Sequence, residues 1–348
     1  MRAWRVHEWG EPSDVLVLDD IDTPEPGPGE VLIRNQAVPL NLNDIDRVNG
    51  ANMMAVPELP VTPGMEVMGT VEAVGDGVGL AVGERVVATA KQATGGWAEA
   101  TLCPAPATFP MPDDIALPDA AALLFPFHLA LLGLVDRASV QTGETVLVHA
   151  GAGGAGSAAI QVAVERGATV IATCSTQAKA DVCRSFGASA VIDYTEEDLA
   201  AAVLEHTDGR GVDVVFDTVG ESVFEDSLKA TAYNGRYVMI GFASDKPKAD
   251  EPIIVPRRII TANIHLSGVL LTYAPDELIP LVKQGLGWNF ASTSIGNAMH
   301  DQLVAGVRSG AFRANVGRVV DFDQIPAEIE ALADRSTIGR TVVTLPAS

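Results

Sequence analysis

Thr145-Val146-Leu147-Val148-His149-Ala150-Gly151-Ala152-Gly153-Gly154-Ala155-Gly156-Ser157-Ala158-Ala159-Ile160-Gln161-Val162-Ala163 reads as a buried strand, a glycine turn and an apolar helix in succession. Gly151, Gly153 and Gly156 stand in the spacing G-x-G-x-x-G. The first glycine lets the backbone turn sharply, the second lets a pyrophosphate come close, and the third lets the helix pack against the strand. Gly154 and Ala155 then open a helix whose unpaired N–H groups face the phosphates. The stretch predicts a bound dinucleotide. Small residues also serve close packing alone, so the surrounding chain has to decide.

Downstream of this stretch, apolar runs and helical spacings alternate in the way that builds a doubly wound parallel sheet. Thr169 to Ser175, Ala190 to Tyr194, Val212 to Asp217, Arg236 to Gly241 and Ile264 to Leu271 read as strands. Gln177 to Phe186, Glu196 to His206 and Glu221 to Ala232 read as the helices between them. Upstream, the first 120 residues are rich in Pro and Gly. Short runs there, such as Val31 to Val38, Gly69 to Val74 and Arg85 to Ala90, are separated by turn signals, which predicts a mostly β domain. After residue 272 come helical stretches near Leu278 to Lys283 and Asp301 to Ser309, then a strand at Arg340 to Leu345 that is expected to rejoin the first domain. Residues 1–122 and 273–348 are therefore assigned to one domain and 123–272 to the other.

With 348 residues, 47% of them hydrophobic, the chain is long enough for two domains with separate cores. A formal net charge of −22 repels phosphate backbones and argues against nucleic acid as a partner. Arg257-Arg258 and Lys246-x-Lys248 are the basic clusters of note, and a solvated loop explains them as well as an anionic ligand does. The amino terminus lacks an apolar leader, and no uninterrupted apolar run approaches the ~20 residues a bilayer span needs, so the expectation is a cytoplasmic protein with no membrane partner. Cys103, Cys174 and Cys183 are too few and too scattered for a disulfide framework or a four-thiolate zinc site. Cys174 and Cys183 read as small buried hydrophobes.

Many ordered motifs, spread over essentially the whole length, make the chain resemble the medium-chain dehydrogenase/reductase superfamily in its zinc-free quinone oxidoreductase branch. They are Asn41-x-x-Asp44 with Gly50, Pro63-Gly64-Met65-Glu66-Val67-x-Gly69, Gly83-Glu84-Arg85-Val86, Gly95-Gly96-Trp97-Ala98-Glu99, the glycine turn and Val191-Ile192-Asp193-Tyr194. Val214-Val215-Phe216-Asp217-x-Val219-Gly220, Gly235-Arg236-x-Val238, Gly241, Gly317-Arg318-Val319 and Arg335-Ser336-Thr337-Ile338-Gly339-Arg340 follow. The resemblance implies an α/β fold, a GroES-like mostly-β catalytic domain with a Rossmann doubly wound parallel sheet, and NADPH as cofactor. Zinc alcohol dehydrogenases of this superfamily carry a His ligand where Met65 stands, a Cys ligand near Asn43 and a four-cysteine lobe, and this sequence has none of these. A thioether with scattered carboxylates is no tetrahedral nitrogen and sulfur site, so zinc is not expected. Two further departures are Val48, beside Arg47, where relatives have a basic residue, and the absence of their tyrosine near Asn52.

The expected strand ending Cys174-Ser175-Thr176 carries no carboxylate of the kind that holds an NAD ribose. By resemblance Ser175 and Lys179 bind the extra phosphate of NADPH; from position alone Lys179 is equally a helix-surface lysine. Tyr194 matches a family position that packs near the adenosine, and Thr218, Gly241, Phe242, Leu270 and Arg335 are carried over to the cofactor groove. The resemblance sets Asn41 and Asp44 beside the nicotinamide, Asn41 donating to a carbonyl oxygen that gains charge and Asp44 holding a water or a ribose hydroxyl. Without the resemblance the same pair reads as a loop satisfying its own backbone. His128 lies in an apolar helix and reads as a core or cleft histidine, and His149 as a residue that sets the glycine turn. Solvent is then left to protonate the product.

The expectation is an NADPH-dependent reductase passing hydride to a quinone or an α,β-unsaturated carbonyl held in the cleft between domains. The alternatives are an enoyl-thioester reductase, against which the missing tyrosine counts, and a non-catalytic NADPH-binding redox sensor. Leu286 to His300, with two aromatics, reads as an acceptor-side loop. Relatives pair their last Rossmann strand across a two-fold axis, and Ile264 to Leu271 is apolar enough for the same homodimer.

Overall fold

The structure is a computed structural model and describes residues 1–51, 56–241 and 256–346. It divides into two units: Met1–Phe125 with Thr272–Ala305 and Arg313–Ser348, and Pro126–Leu271 with Gly306–Phe312.

In the first unit β1 (Arg2–Val6) and β2 (Leu16–Asp20) form a hairpin around the short helix α1 (Pro12–Val15). β3 (Glu30–Pro39) leads into α2 (Leu42–Asn49), and β4 (Glu66–Val74), β5 (Arg85–Thr89), β6 (Ala100–Pro104) and β7 (Thr108–Pro110) follow. β3 pairs antiparallel with both β4 and β6. Val31, Ile33, Val38, Val67, Val86 and Trp97 are buried in one core, the inward half of the alternation that a β domain needs. Gly50 ends α2 in the left-handed region (φ 78°), where a residue without Cβ is favoured.

Next in the chain is α3 (Leu117–Ala130), continued by a π-helical turn at Leu131–Arg137. Together, Leu117–Arg137 makes 21 residues of mean hydropathy 1.6 over its most apolar window, of which 78% is buried. Pro126 and His128 interrupt the apolar run in sequence without ending the helix. Its burial is that of a core helix.

The second unit holds β8 (Thr145–Val148), α4 (Gly154–Glu165), β9 (Thr169–Cys174), α5 (Gln177–Ser185), β10 (Ala190–Asp193) and α6 (Leu199–His206). β11 (Val212–Asp217), α7 (Glu221–Ala230), β12 (Thr231–Met239), α8 (Pro256–Ala262) and β13 (His265–Gly268) complete it. The six strands lie in the order β10-β9-β8-β11-β12-β13, all parallel. Helices on such a sheet bury both faces, which is why β9 and β11 are almost continuously apolar. Leu147, Ile171, Ile192, Val215 and Tyr237 pack with Leu199 and Val203 of α6 and Leu228 of α7. Val148 aligns with Ala172 and Phe216, and Phe216 with Val238, so the carboxyl ends of the strands share one edge. The order reverses between β8 and β11, the switch point at which open α/β sheets bind ligands.

The chain returns to the first unit with β14 (Tyr273–Ala274), α9 (Ile279–Leu286) and β15 (Ala291–Ser292), then runs through α10 (Thr293–Ser309). The long loop expected from Leu286 to His300 is thus corrected: α10 begins at Thr293, two turns before the helix read from sequence. β16 (Val316–Asp321), α11 (Ile325–Ala333) and β17 (Arg340–Thr344) follow, with β17 antiparallel to β3 and β16 parallel to β17.

Candidate cofactor site and polar cluster

The glycine turn leaves β8 through His149, whose N–H donates to Phe216 O (3.1 Å), and Ala150, which takes φ 51°. Gly151 N–H donates to Thr173 O (3.0 Å) and Gly153 N–H to Ala150 O (3.0 Å). A Cβ on Gly156 would lie 2.3 Å from Ala150 O, and one on Gly151 would lie 2.8 Å from Cys183 Sγ. These two glycines are committed to packing. Gly153 differs: it is exposed, and a Cβ there would meet nothing nearer than Ala150 O at 3.3 Å. Its open face is the approach a pyrophosphate needs. Behind it, Gly154 and Ala155 begin α4 with no acidic side chain in the first turn and no side-chain cap, so the helix N-terminus is left to an anion.

Ser175 follows β9, half-buried, and Lys179 sits in the first turn of α5, where its N–H donates to the capping Thr176 Oγ1 (3.3 Å). Tyr194 follows β10 and is 47% exposed. The nearby Asp193 carboxylate accepts from Thr195 N–H (3.0 Å) and Oγ1 (2.7 Å), bonds that hold its pKa below the usual range and turn it into its own loop. Thr218 and Gly241 meet at the ends of β11 and β12, where a Cβ on Gly241 would lie 2.6 Å from Thr218 O. Leu270 is half-buried just beyond β13. Phe242 lies outside the described residues, as do Lys246 and Lys248. Arg335 belongs to the first unit and is exposed after α11 with φ 56°.

His149 is wholly buried between Thr173 Oγ1 (Nδ1, 3.2 Å) and Ser227 Oγ (Nε2, 2.8 Å). Burial pushes its pKa down to about 4, so the imidazole is neutral at pH 7. It does set the turn, as its sequence position implies, through these side-chain bonds as well as its backbone. Cys174 and Cys183 are buried, and desolvation raises both thiols, Cys183 to about 12, as befits inert core residues.

In the first unit Asn41 and Asp44 come together at the start of α2. Asp44 is fully buried; its Oδ2 accepts from Asn41 N–H (2.9 Å) and its Oδ1 from Met65 N–H (3.0 Å). Burial raises its pKa to about 6, against the pull of Arg47 and those two donors. The Asn41 amide donates to Pro39 O (3.2 Å) and Glu66 Oε2 (3.3 Å), while its Oδ1 accepts from Arg340 Nη2 (2.7 Å). Both side chains are hydrogen-bonded within the protein, to side chains as well as to backbone.

Two residues that sequence reasoning did not assign hold the cluster. Arg340 Nη2 donates to Glu66 Oε2 (2.6 Å), with 5% and 1% of the side chains exposed, and Nη1 to Ala122 O (3.2 Å). Glu66 Oε1 accepts from Phe125 N–H (3.0 Å). Both stand in the quoted motifs, but nothing local pairs residues 274 positions apart. Among the described residues no three His, Cys, Asp or Glu side chains gather as a metal would require. His128 is wholly buried.

Residues 27–113 match the family profile described as alcohol dehydrogenase GroES-like domain, and 154–284 the profile described as zinc-binding dehydrogenase. The chain is 39% identical to a quinone oxidoreductase of Pseudomonas aeruginosa, covering 95% of each chain. It is 32% identical to a 2-haloacrylate reductase of a Burkholderia species, covering 98% of each. A mycobacterial protein solved in complex with NADPH superposes with a TM-score of 0.85 at 34% identity, over 99% of this chain and 100% of that one.

Proposed function

The chain belongs to the medium-chain dehydrogenase/reductase superfamily, in its quinone oxidoreductase-like branch, and on that premise we propose that it is a zinc-independent, NADPH-dependent reductase of quinones or α,β-unsaturated carbonyl compounds. It is an oxidoreductase with a nicotinamide cofactor, which when bound supplies the hydride. The observation that carries the NADPH preference is the end of β9, where Ser175 and Lys179 stand with no carboxylate of that strand and Asp193 is turned into its own loop. Lys179 attracts the 2′-phosphate and Ser175 offers it a hydroxyl. Gly153 and the first turn of α4 take the pyrophosphate, and Thr218, Gly241 and Leu270 border the groove toward the nicotinamide. Asn41 and Asp44 shape the acceptor side through the packing of α2 against Glu66 and Arg340. The names of the two relatives, a quinone and a haloacrylate reductase, support an electron-poor conjugated acceptor.

NADPH oxidation is expected with a panel of quinones and enones, with NADH much poorer, and Lys179→Ala is expected to raise the KM for NADPH about tenfold while leaving NADH unchanged. The kinetics of both cofactors with both proteins check this. No turnover with any acceptor, crotonyl-CoA included, despite tight NADPH binding would replace the reductase by a redox sensor.

A homodimer is part of the same proposal. Among the described residues β13 pairs only with β12, and its outer edge, with Leu266 38% exposed, is free to continue the sheet into a second copy. Sedimentation at micromolar concentration is expected to give a dimer mass, and a monomer would sink it. Three free, buried cysteines support a cytoplasmic setting.

A further inference from the structure

Beneath the switch point runs a line of buried polar side chains that no catalytic step uses. Asp217 Oδ1 accepts from the N–H groups of Val219 (2.7 Å) and Gly220 (3.0 Å), and its Oδ2 accepts from Tyr237 Oη–H (2.7 Å). Tyr237 is itself hydrogen-bonded by Ser227, and Ser227 Oγ lies 2.8 Å from His149 Nε2. His149 Nδ1 meets Thr173 Oγ1 at 3.2 Å, and Thr173 Oγ1 accepts from Ala150 N–H (3.3 Å). Asp217, Ser227, Tyr237 and His149 are each 0% exposed, and Thr173 is 2%.

One proton arrangement satisfies every member. Ala150 N–H donates to Thr173, Thr173 O–H to His149 Nδ1, His149 Nε2–H to Ser227, Ser227 O–H to Tyr237, and Tyr237 O–H to Asp217. The line begins at a backbone N–H of the glycine turn and ends on the backbone N–H groups that follow Thr218. These are the two turns that flank the crevice, on β8 and β11. An imidazole burdened by burial stays neutral here, which the single Nε2–H tautomer requires. A hydrogen-bond chain running in one direction is cooperative, so removing a middle link loosens both ends.

We propose that His149, Ser227, Tyr237 and Asp217 are positioning residues that lock the glycine turn and the Thr218 turn into one mutual arrangement and thereby set the affinity for the dinucleotide. This rests on reading the carboxyl edge as the dinucleotide site. The hydroxyl of Tyr237 is the best single test, because Tyr237→Phe keeps the ring that packs against Phe224 at a centroid distance of 5.1 Å.

Fluorescence titration of the whole protein with NADPH is expected to show Kd raised about five- to thirtyfold by Tyr237→Phe and by His149→Leu. His149→Gln, which can donate and accept, is expected to recover part of the loss. Ser227 lies between the two residues in the line, yet the double variant is expected to bind little worse than the weaker single one, because one broken link already uncouples the turns. At saturating NADPH, kcat is expected to change less than twofold. Unchanged Kd with a lowered Tm, or strictly multiplicative losses, would reduce the line to structural support and overturn the proposal. Side-chain ¹⁵N NMR of the wild-type protein gives a second check that does not depend on folded variants: His149 is expected as the neutral Nε2–H tautomer at pH 7, and an Nδ1–H tautomer or an imidazolium would overturn it. Wild-type protein that binds neither NADPH nor NADH would overturn the dinucleotide reading itself, an outcome separate from the other two.

Discussion

Arg340→Met is expected to cost about 3–5 kcal/mol of stability, the range for removing one partner of a buried ion pair. The guanidinium is the sole cation bonded to Glu66 among the described contacts, and it reaches three acceptors at once: Glu66 Oε2, Asn41 Oδ1 and Ala122 O. Methionine fills much of the volume but leaves a carboxylate that is 1% exposed without its counter-charge, and an asparagine oxygen without its donor. Arg340→Lys is expected to recover little, since an ammonium lacks the planar fork that bridges Asn41 and Glu66 while turning to Ala122. Glu66→Gln in the Arg340→Met background is expected to restore part of the loss, because the stranded charge goes with it. Urea unfolding of the four proteins measures this. A loss below about 1 kcal/mol would mean that water reaches the pair and that the cluster is a surface feature.

The same cluster marks where sequence reading stops. A parallel sheet repeats its pattern locally, so β11 is found at Val212–Asp217 as the apolar run predicts, and β9 and β10 end one residue before the limits read from sequence. The glycine turn is equally local, and the close packing at Gly156 follows from its place in the spacing. Boundaries move where a polar residue serves both neighbours. Thr231, read as helix, opens β12, with its hydroxyl donating to Ser227 O (2.6 Å) and its backbone in register with Val212. The segment before His300 misleads for a different reason. Gly296 and Asn297 weaken the helical pattern, yet α10 continues through them because Met299 and His300 are buried, His300 Nε2–H donating to Pro110 O (2.8 Å) and the ring stacking on Phe109.

The Asn41 and Asp44 pair shows a subtler limit. Their spacing identifies a helix start, and resemblance brings them to the reactants, but neither reveals where each lone pair and each N–H goes. That depends on Glu66 from β4 and Arg340 from β17, brought together by β3 pairing with both. Polar residues inside or just beyond apolar strands, such as Tyr237 and His149, leave no periodic trace at all. Their partners lie across the sheet and on α7, so only the folded register unites them.

A pair of alanine substitutions in the glycine turn is expected to separate folding from binding. Gly156→Ala places a Cβ 2.3 Å from Ala150 O and 2.8 Å from Gly151 Cα, backbone atoms that cannot swing aside. Relief requires α4 to move off β8, so the substitution is expected to cost about 3 kcal/mol or more and to abolish cofactor binding as a consequence. Gly153→Ala meets only Ala150 O at 3.3 Å, and its φ of −79° and ψ of 177° suit any residue. It is expected to fold within about 1 kcal/mol of wild type, because it fills only space in front of the turn. If that space belongs to a pyrophosphate, the added methyl displaces it and NADPH binding is expected to weaken by about tenfold or more. Urea unfolding beside NADPH titration reads both effects. A Gly153→Ala protein that folds and binds NADPH as wild type does would move the pyrophosphate away from this turn, whereas one that folds and binds weakly ties the exposed glycine to the ligand and leaves its two buried neighbours to the fold.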